Sequence, residues 1–163
     1  MNPQVLKRNA DNILRRYAES LCPHLAEASV VPRVTLSHES WRPAVHECHA
    51  NVAQWVELNP AHKAVMGWSV LDRRIGAGAC ESPYVQLFAH SVVESEDGVL
   101  KDVTPVMAAP DGTQDEVRFL RHVGTKEEYV ALLEQYRLGS IVLWGHEKLE
   151  DVTFIAAGSP PNE

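Results

Sequence analysis

Two β-rich runs, residues 84–94 (Tyr-Val-Gln-Leu-Phe-Ala-His-Ser-Val-Val-Glu) and 99–103 (Val-Leu-Lys-Asp-Val), stand on either side of Glu96-Asp97-Gly98. A short turn signal between two such runs is among the strongest local instructions a chain carries: the runs pair as an antiparallel hairpin. The loop length then decides which side chains share a face, because neighbours along a strand alternate. With a three-residue loop, Ser95 faces Val99, Val92 faces Asp102, and His90 becomes a diagonal neighbour of Asp102 on one side of the ladder. Diagonal partners lie roughly 7–8 Å apart at the backbone, within reach of an imidazole and a carboxylate. A two-residue Asp97-Gly98 loop pairs Val93 with Asp102 instead and turns the acid to the other face. The sequence permits both, and the three-residue loop with a left-handed glycine is a common hairpin type.

Around this hairpin the pattern is helices first and strands after. Asn2 and Pro3 read as an N-cap and a proline at the first helical position. Val5, Ile13, Leu14, Tyr17 and Leu21 recur at helical spacing until Pro23. Segment 29–36 is β-rich but interrupted by Pro32, which suits an edge strand. Residues 47–58 form the second helix, with Cys48, Val52, Trp55 and Val56 on one stripe and Asn59-Pro60 as the stop. Residues 64–71 read as a strand, joined to 84–94 by a Gly-rich stretch. Thr104-Pro105 closes the hairpin, and 106–116 is a polar loop. Residues 117–120 form a short strand, Thr125 and Glu128 a capping box for a helix of about 126–137 with Gly139 as its stop, and 140–144 and 152–156 a final strand pair. No β-α-β alternation is present, so the class is α+β: N-terminal helices packed on an antiparallel meander with one helix inserted. A length of 163 residues fits a single domain, 1–163.

Composition narrows the chemistry. A net charge of −7 with no basic stripe argues against a nucleic-acid partner. Trp55, Trp68, Phe88 and Trp144 accordingly read as core rather than as a stacking platform. No apolar run approaches the roughly 20 residues of a membrane span, and the N-terminus lacks the apolar segment of a signal peptide. A soluble, cytoplasmic protein is expected. No GxGxxG, P-loop or HExxH motif is present, so no cofactor is expected.

Cys22, Cys48 and Cys80 are an odd number at wide spacing, which suits a reducing compartment better than a disulfide framework. Cys48 is set apart by its position in the first turn of a helix, where the helix dipole favours a thiolate. Cys22 and Cys80 have no comparable setting and read as structural. A thiolate becomes an efficient nucleophile beside an imidazole that an acid or amide orients. His90 and Asp102 supply that pair in the three-residue register. Asn51, one turn after Cys48, reads as a tether for a nearby loop. His24, His38, His62, His122 and His146 sit among polar neighbours and read as solvated.

Cysteine at the start of a buried helix, then histidine on a strand, then aspartate on the adjacent strand resembles the papain-like thiol fold, especially its transglutaminase-like branch. The run from His90 to Asp102-Val-Thr-Pro105 is similar to the His…Asp-x-Thr-Pro run of that core. The resemblance covers about residues 40–105, roughly two-fifths of the chain. It implies Cys48 as nucleophile, His90 as general base and Asp102 as orienting acid. It departs from the family at Val92 and His49, where aromatics are common, and in having no glutamine upstream of Cys48. Ser37, His38, Ser40, Trp41 and Arg42 stand there instead, and the oxyanion donors are unassigned.

The resemblance implies a thiol-dependent hydrolase or acyl transferase acting on an amide or thioester, as a peptidase, amidase, deamidase or transglutaminase-like enzyme would. Its substrate is a peptide, a protein side chain or a small amide. Two other readings stand beside it. One is a catalytically silent papain-like binding module. The other is a metal-binding protein in which Cys48, His90 and a further histidine hold zinc; His46, Cys48 and His49 diverge by about 100° per residue on a helix and do not form such a set by themselves.

Overall fold

The structure is a computed structural model that describes residues 3–36, 38–74, 83–106, 116–145 and 151–157. Its elements in chain order are α1 (Pro3–Leu21), a 3-10 helix (Cys22–Glu27), β1 (Ser29–Pro32), α2 (Cys48–Leu58), β2 (Lys63–Asp72), β3 (Tyr84–Glu94), β4 (Leu100–Lys101), β5 (Glu116–Arg121), α3 (Lys126–Gln135), β6 (Leu138–Trp144) and β7 (Asp151–Ala156). Pro23 marks the point where α1 gives way to the tighter 3-10 turn. The expected cap at Asn2, most of the Gly-rich stretch and most of the 106–116 loop lie outside the described residues.

The fold is mixed α+β, with three α-helices and a seven-strand antiparallel sheet among the described residues. Strand order is β1-β5-β2-β3-β6-β7, with β4 paired to β3. It is not the simple meander that the sequence order suggests: β5 inserts between β1 and β2, pairing Val31 with Val117 on one side and Trp68 with Leu120 on the other. β1 is left at the edge, where Pro32 removes no needed donor.

The hairpin takes the three-residue register. Val93 pairs with Lys101 and Glu94 with Leu100. Ser95 N–H donates to Val99 O at 3.0 Å and Gly98 N–H to Ser95 O at 2.8 Å. Gly98 turns the chain at φ +81°, the left-handed region that a side chain resists. The return strand is shorter than the expected 99–103. After Lys101 the chain changes partner: Asp102 N–H donates to Pro32 O (2.9 Å) and Val34 N–H to Asp102 O (2.8 Å), a parallel bridge between Asp102 and Arg33.

The capping box of α3 forms, with Glu128 N–H on the Thr125 hydroxyl and Thr125 N–H on the Glu128 carboxylate. Gly139 is not the helix stop. α3 ends at Gln135, Arg137 takes the left-handed turn at φ +52°, and Gly139 lies inside β6. A Cβ at Gly139 would stand 2.8 Å from Ala157 Cα, so close backbone approach is the reason for glycine there.

The chain divides into two compact units. The first comprises residues 1–27, 70–89 and 122–163. Leu14, Ala18 and Leu21 of α1, Val85 and Leu87 of β3, Tyr129 and Leu132 of α3, and Ile141 and Leu143 of β6 are buried there. Ile13 falls outside the buried stripe and is exposed, as is Phe88, which the sequence suggested for the core. His122 is not a solvated histidine. It is half-buried against Tyr17 and Tyr129, and its Nδ1 meets the Tyr17 hydroxyl at 2.7 Å. Burial holds its pKa below the ordinary imidazole value.

The second unit comprises residues 28–69 and 90–121. Two clusters lie on the alternating faces of β3: Val92 with Val31 and Phe119, and Val93 with Val52 and Val103. Burial on both faces explains why Val92 and Val93 stand side by side here instead of alternating with polar residues. Trp68 is fully buried, whereas Trp55 is half-buried and donates its indole N–H to His62 Nδ1 at 2.7 Å, so His62 ties down the end of α2 instead of standing in water. No described helix is long and apolar enough to cross a membrane.

Gly98 offers a test of the hairpin. A Cβ there meets nothing within 4 Å, so Gly98→Ala carries only the backbone cost of a left-handed residue. Chemical denaturation of that variant is expected to show a loss of about 1 kcal/mol with an unchanged denaturant slope.

Candidate active site

α2 presents Cys48 as its first residue, with the side chain 8% exposed. The N-cap, Glu47, forms no side-chain hydrogen bond to the helix, and Cys48 stands at the positive end of the α2 dipole. The approach to the helix is held by Asn51: its Oδ1 accepts Ala44 N–H at 2.9 Å and its Nδ2 donates to Ala44 O at 2.7 Å. Asn51 thus has the loop-tethering role that its position suggested. The turn into the helix passes through His46 at φ +65°, a conformation costly for a residue with a side chain. Val52, one turn on, anchors the helix against Val93 and Val103.

The hairpin brings His90 and Asp102 together as the three-residue register requires. His90 Nε2 lies 3.3 Å from Asp102 Oδ2, an ion-pair contact whose alignment falls short of a strict hydrogen bond. With Nε2 committed to the carboxylate, Nδ1 is the nitrogen left to face the thiol. The Phe119 ring meets the imidazole edge-on at 6.3 Å and limits its tilt. The Asp102 side chain is fully buried. Its Oδ1 accepts Thr104 N–H at 2.9 Å, and its Oδ2 accepts Arg33 Nε at 3.0 Å. Cys48, His90 and Asp102 therefore converge within the second unit.

Two partners escaped sequence reasoning. Arg33 reaches Asp102 only because the chain leaves β4 to pair with the residues after β1, a long-range event with no local signature. His49 stood in the sequence beside the nucleophile position as a missing aromatic. In the structure its imidazole hydrogen-bonds the Cys48 thiol, and its Nδ1 stands 2.6 Å from the hydroxyl of Ser91, which is 1% exposed.

The electrostatics follow from these contacts. Burial pushes the Cys48 thiol up, but hydrogen bonds from His49 and His90 and the charge on those rings outweigh it and bring the pKa to about 6. Burial pushes His90 down, but contacts with Asp102 and with the sulfur reverse this and raise it to about 9. Burial alone would raise Asp102; His90, the Thr104 N–H and Arg33 hold it below the ordinary carboxylate value. Across the interval between the two values the pair exists as thiolate and imidazolium. Such a pair can attack an electron-poor carbon and return a proton to a leaving group.

No protein-family model matches the sequence, and no curated protein or solved structure gives a significant match.

The remaining candidates fall away from this cluster. His46 is exposed. Cys22 is half-buried and directs its thiol to Ala18 O at 3.4 Å; burial and Glu19 raise its pKa, the opposite of Cys48. Cys80 and Ser37 lie outside the described residues. His38 and Ser40 bond each other at 2.9 Å, and Trp41 packs on Trp55 with ring centroids 6.1 Å apart, so these upstream residues serve a local turn. Among the described residues no group of three or more His, Cys, Asp and Glu side chains is arranged to hold a metal ion.

The pair has a definite pH signature. A thiol with a lowered pKa ionises on the acid side of ordinary thiols, and an imidazolium with a raised pKa loses its proton on the alkaline side. Thiolate absorbance in the ultraviolet, taken as the difference between the native chain and Cys48→Ser, is expected to rise with a midpoint near pH 6. A midpoint in the ordinary thiol range would contradict the contacts described. The imidazolium is expected to disappear near pH 9, followed by NMR of the ring protons. Because the two groups are coupled, both midpoints belong to the pair.

Proposed function

We propose that the protein is a thiol-dependent hydrolase or acyl transferase of papain-like, transglutaminase-like type, acting on an amide or thioester of a peptide, a protein side chain or a small molecule. The observation that carries this reading is the buried contact chain Cys48–His90–Asp102. With His49 it brings the thiol pKa down to about 6 in an environment that would otherwise raise it. A merely structural cysteine has no use for such an arrangement, and Cys22 of the same chain behaves as one.

In the proposed reaction the Cys48 thiolate attacks the carbonyl carbon. The C–S bond forms as the π pair moves to oxygen, and the tetrahedral intermediate collapses by expelling the amine or thiol, which takes its proton from the His90 imidazolium. The product is a thioester on Cys48. His90, now neutral, draws a proton from water or an acceptor amine, which attacks the thioester and regenerates the thiolate. Asp102 keeps the His90 Nε2 proton in place throughout, so Nδ1 does the exchange.

Selective alkylation tests the reading. Near pH 6, iodoacetamide is expected to label Cys48 ahead of Cys22 and Cys80, mapped by peptide mass spectrometry. His90→Ala should move the alkylation midpoint upward by about one to three pH units, the usual effect of removing an opposite charge in contact. Equal labelling of all three cysteines, or a midpoint indifferent to His90, would rule the reading out.

A further inference from the structure

The sulfur is served by two imidazoles, and the reaction above uses only one. His49 is the second residue of α2, directly after Cys48, and its ring hydrogen-bonds the thiol. Its orientation is set by Ser91, whose hydroxyl stands 2.6 Å from Nδ1 and is buried. Ser91 follows His90 on β3, so neighbouring residues of one strand supply one ring at the thiol and the partner of the other.

We infer that His49 is a catalytic residue that supplies the oxyanion donor of this site, with Ser91 as the positioning residue that sets its ring. This rests on the thiol reading above. With Nδ1 taken by Ser91, Nε2 is the nitrogen left for the sulfur, and an N–H there is a donor aimed at the thiolate.

The same N–H is placed for the next species on the path. When sulfur bonds to the carbonyl carbon, the negative charge leaves sulfur and appears on an oxygen one bond from that carbon. A donor that held the charge before the attack is then within reach of it afterwards, without reorganising, which is the condition for electrostatic stabilisation of a transition state. His49 keeps its proton throughout: no bond to hydrogen breaks, and the proton balance of the reaction stays with His90.

Two probes of the native chain separate stabilising an oxyanion from ionising the thiol. Acylation by 4-nitrophenyl acetate, read as the burst of nitrophenolate after subtraction of the Cys48→Ser signal, passes through an oxyanion. Alkylation by iodoacetamide does not. Both are measured at an alkaline pH where the sulfur is fully ionised in every variant. The expected result is that His49→Ala slows acylation about 100-fold, the usual cost of one oxyanion donor, while alkylation changes only a few-fold. His49→Gln, which keeps an N–H donor, should recover part of the acylation rate, and Ser91→Ala should lose part of it at unchanged alkylation. Equal slowing of both probes in His49→Ala and His49→Gln would overturn the proposal, because His49 would then only shape the thiolate. Unchanged acylation in both would overturn it by making the ring a bystander. If native Cys48 reacts with neither probe faster than Cys22, the thiol reading itself fails and takes this inference with it.

Discussion

A fully buried carboxylate is tolerable only when its charge is answered on every side, and Asp102 organises the second unit around that requirement. Arg33 comes from the segment after β1, Thr104 N–H from the chain two residues on, and His90 from β3. Removing the carboxylate would leave a guanidinium and an imidazole facing each other in a poorly solvated interior, so the acid is a structural tie as much as a charge. It also explains the odd geometry of the hairpin. β4 stops after two residues because the backbone of Asp102 is drawn into the bridge with Arg33, and that turn of the chain carries the carboxylate beneath His90.

The first turn of α2 depends on the same frame. Nothing in the helix itself brings Cys48 to His90; the Val52–Val93–Val103 cluster does, by fixing the helix on one face of β3. Asn51 fixes the approach with two hydrogen bonds to Ala44, and the strained turn at His46 is the local cost of aiming the helix start at the sheet. Strain of this kind persists where surrounding contacts outweigh it, and here those contacts are the ones that also hold the thiol in place.

Much of this was legible in the residues alone, for reasons that can be named. The hairpin and its two possible registers followed from Gly98 and from alternation along two strands, both local properties, and only the structure chose between them. The stop of α2 at Asn59-Pro60 followed from proline sterics. What could not be read was long-range: the insertion of β5 between β1 and β2, and the reach of Arg33 to Asp102, require knowing which distant segments meet. Gly139 misled because glycine signals both helix ends and close backbone approach, and Arg137 took the left-handed position that a glycine was expected to fill. His49 was visible but was judged as an absent aromatic; the sign that mattered was a second imidazole one residue from a thiol.

Cys48 and Asp102 are the acids of this site, and His90 stands between them with Arg33 on the far side of the carboxylate. Forming the thioester of the proposed reaction cancels the sulfur's charge alone. The imidazolium then loses one of the two anions that kept its proton bound, while Arg33 continues to draw on the carboxylate that remains. Acylation thus loosens the His90 proton at the moment a leaving group needs it, and leaves behind a ring better suited to accept one from the incoming nucleophile. The shared carboxylate makes this self-timing: the ring's affinity for its proton is governed by whether the sulfur is free.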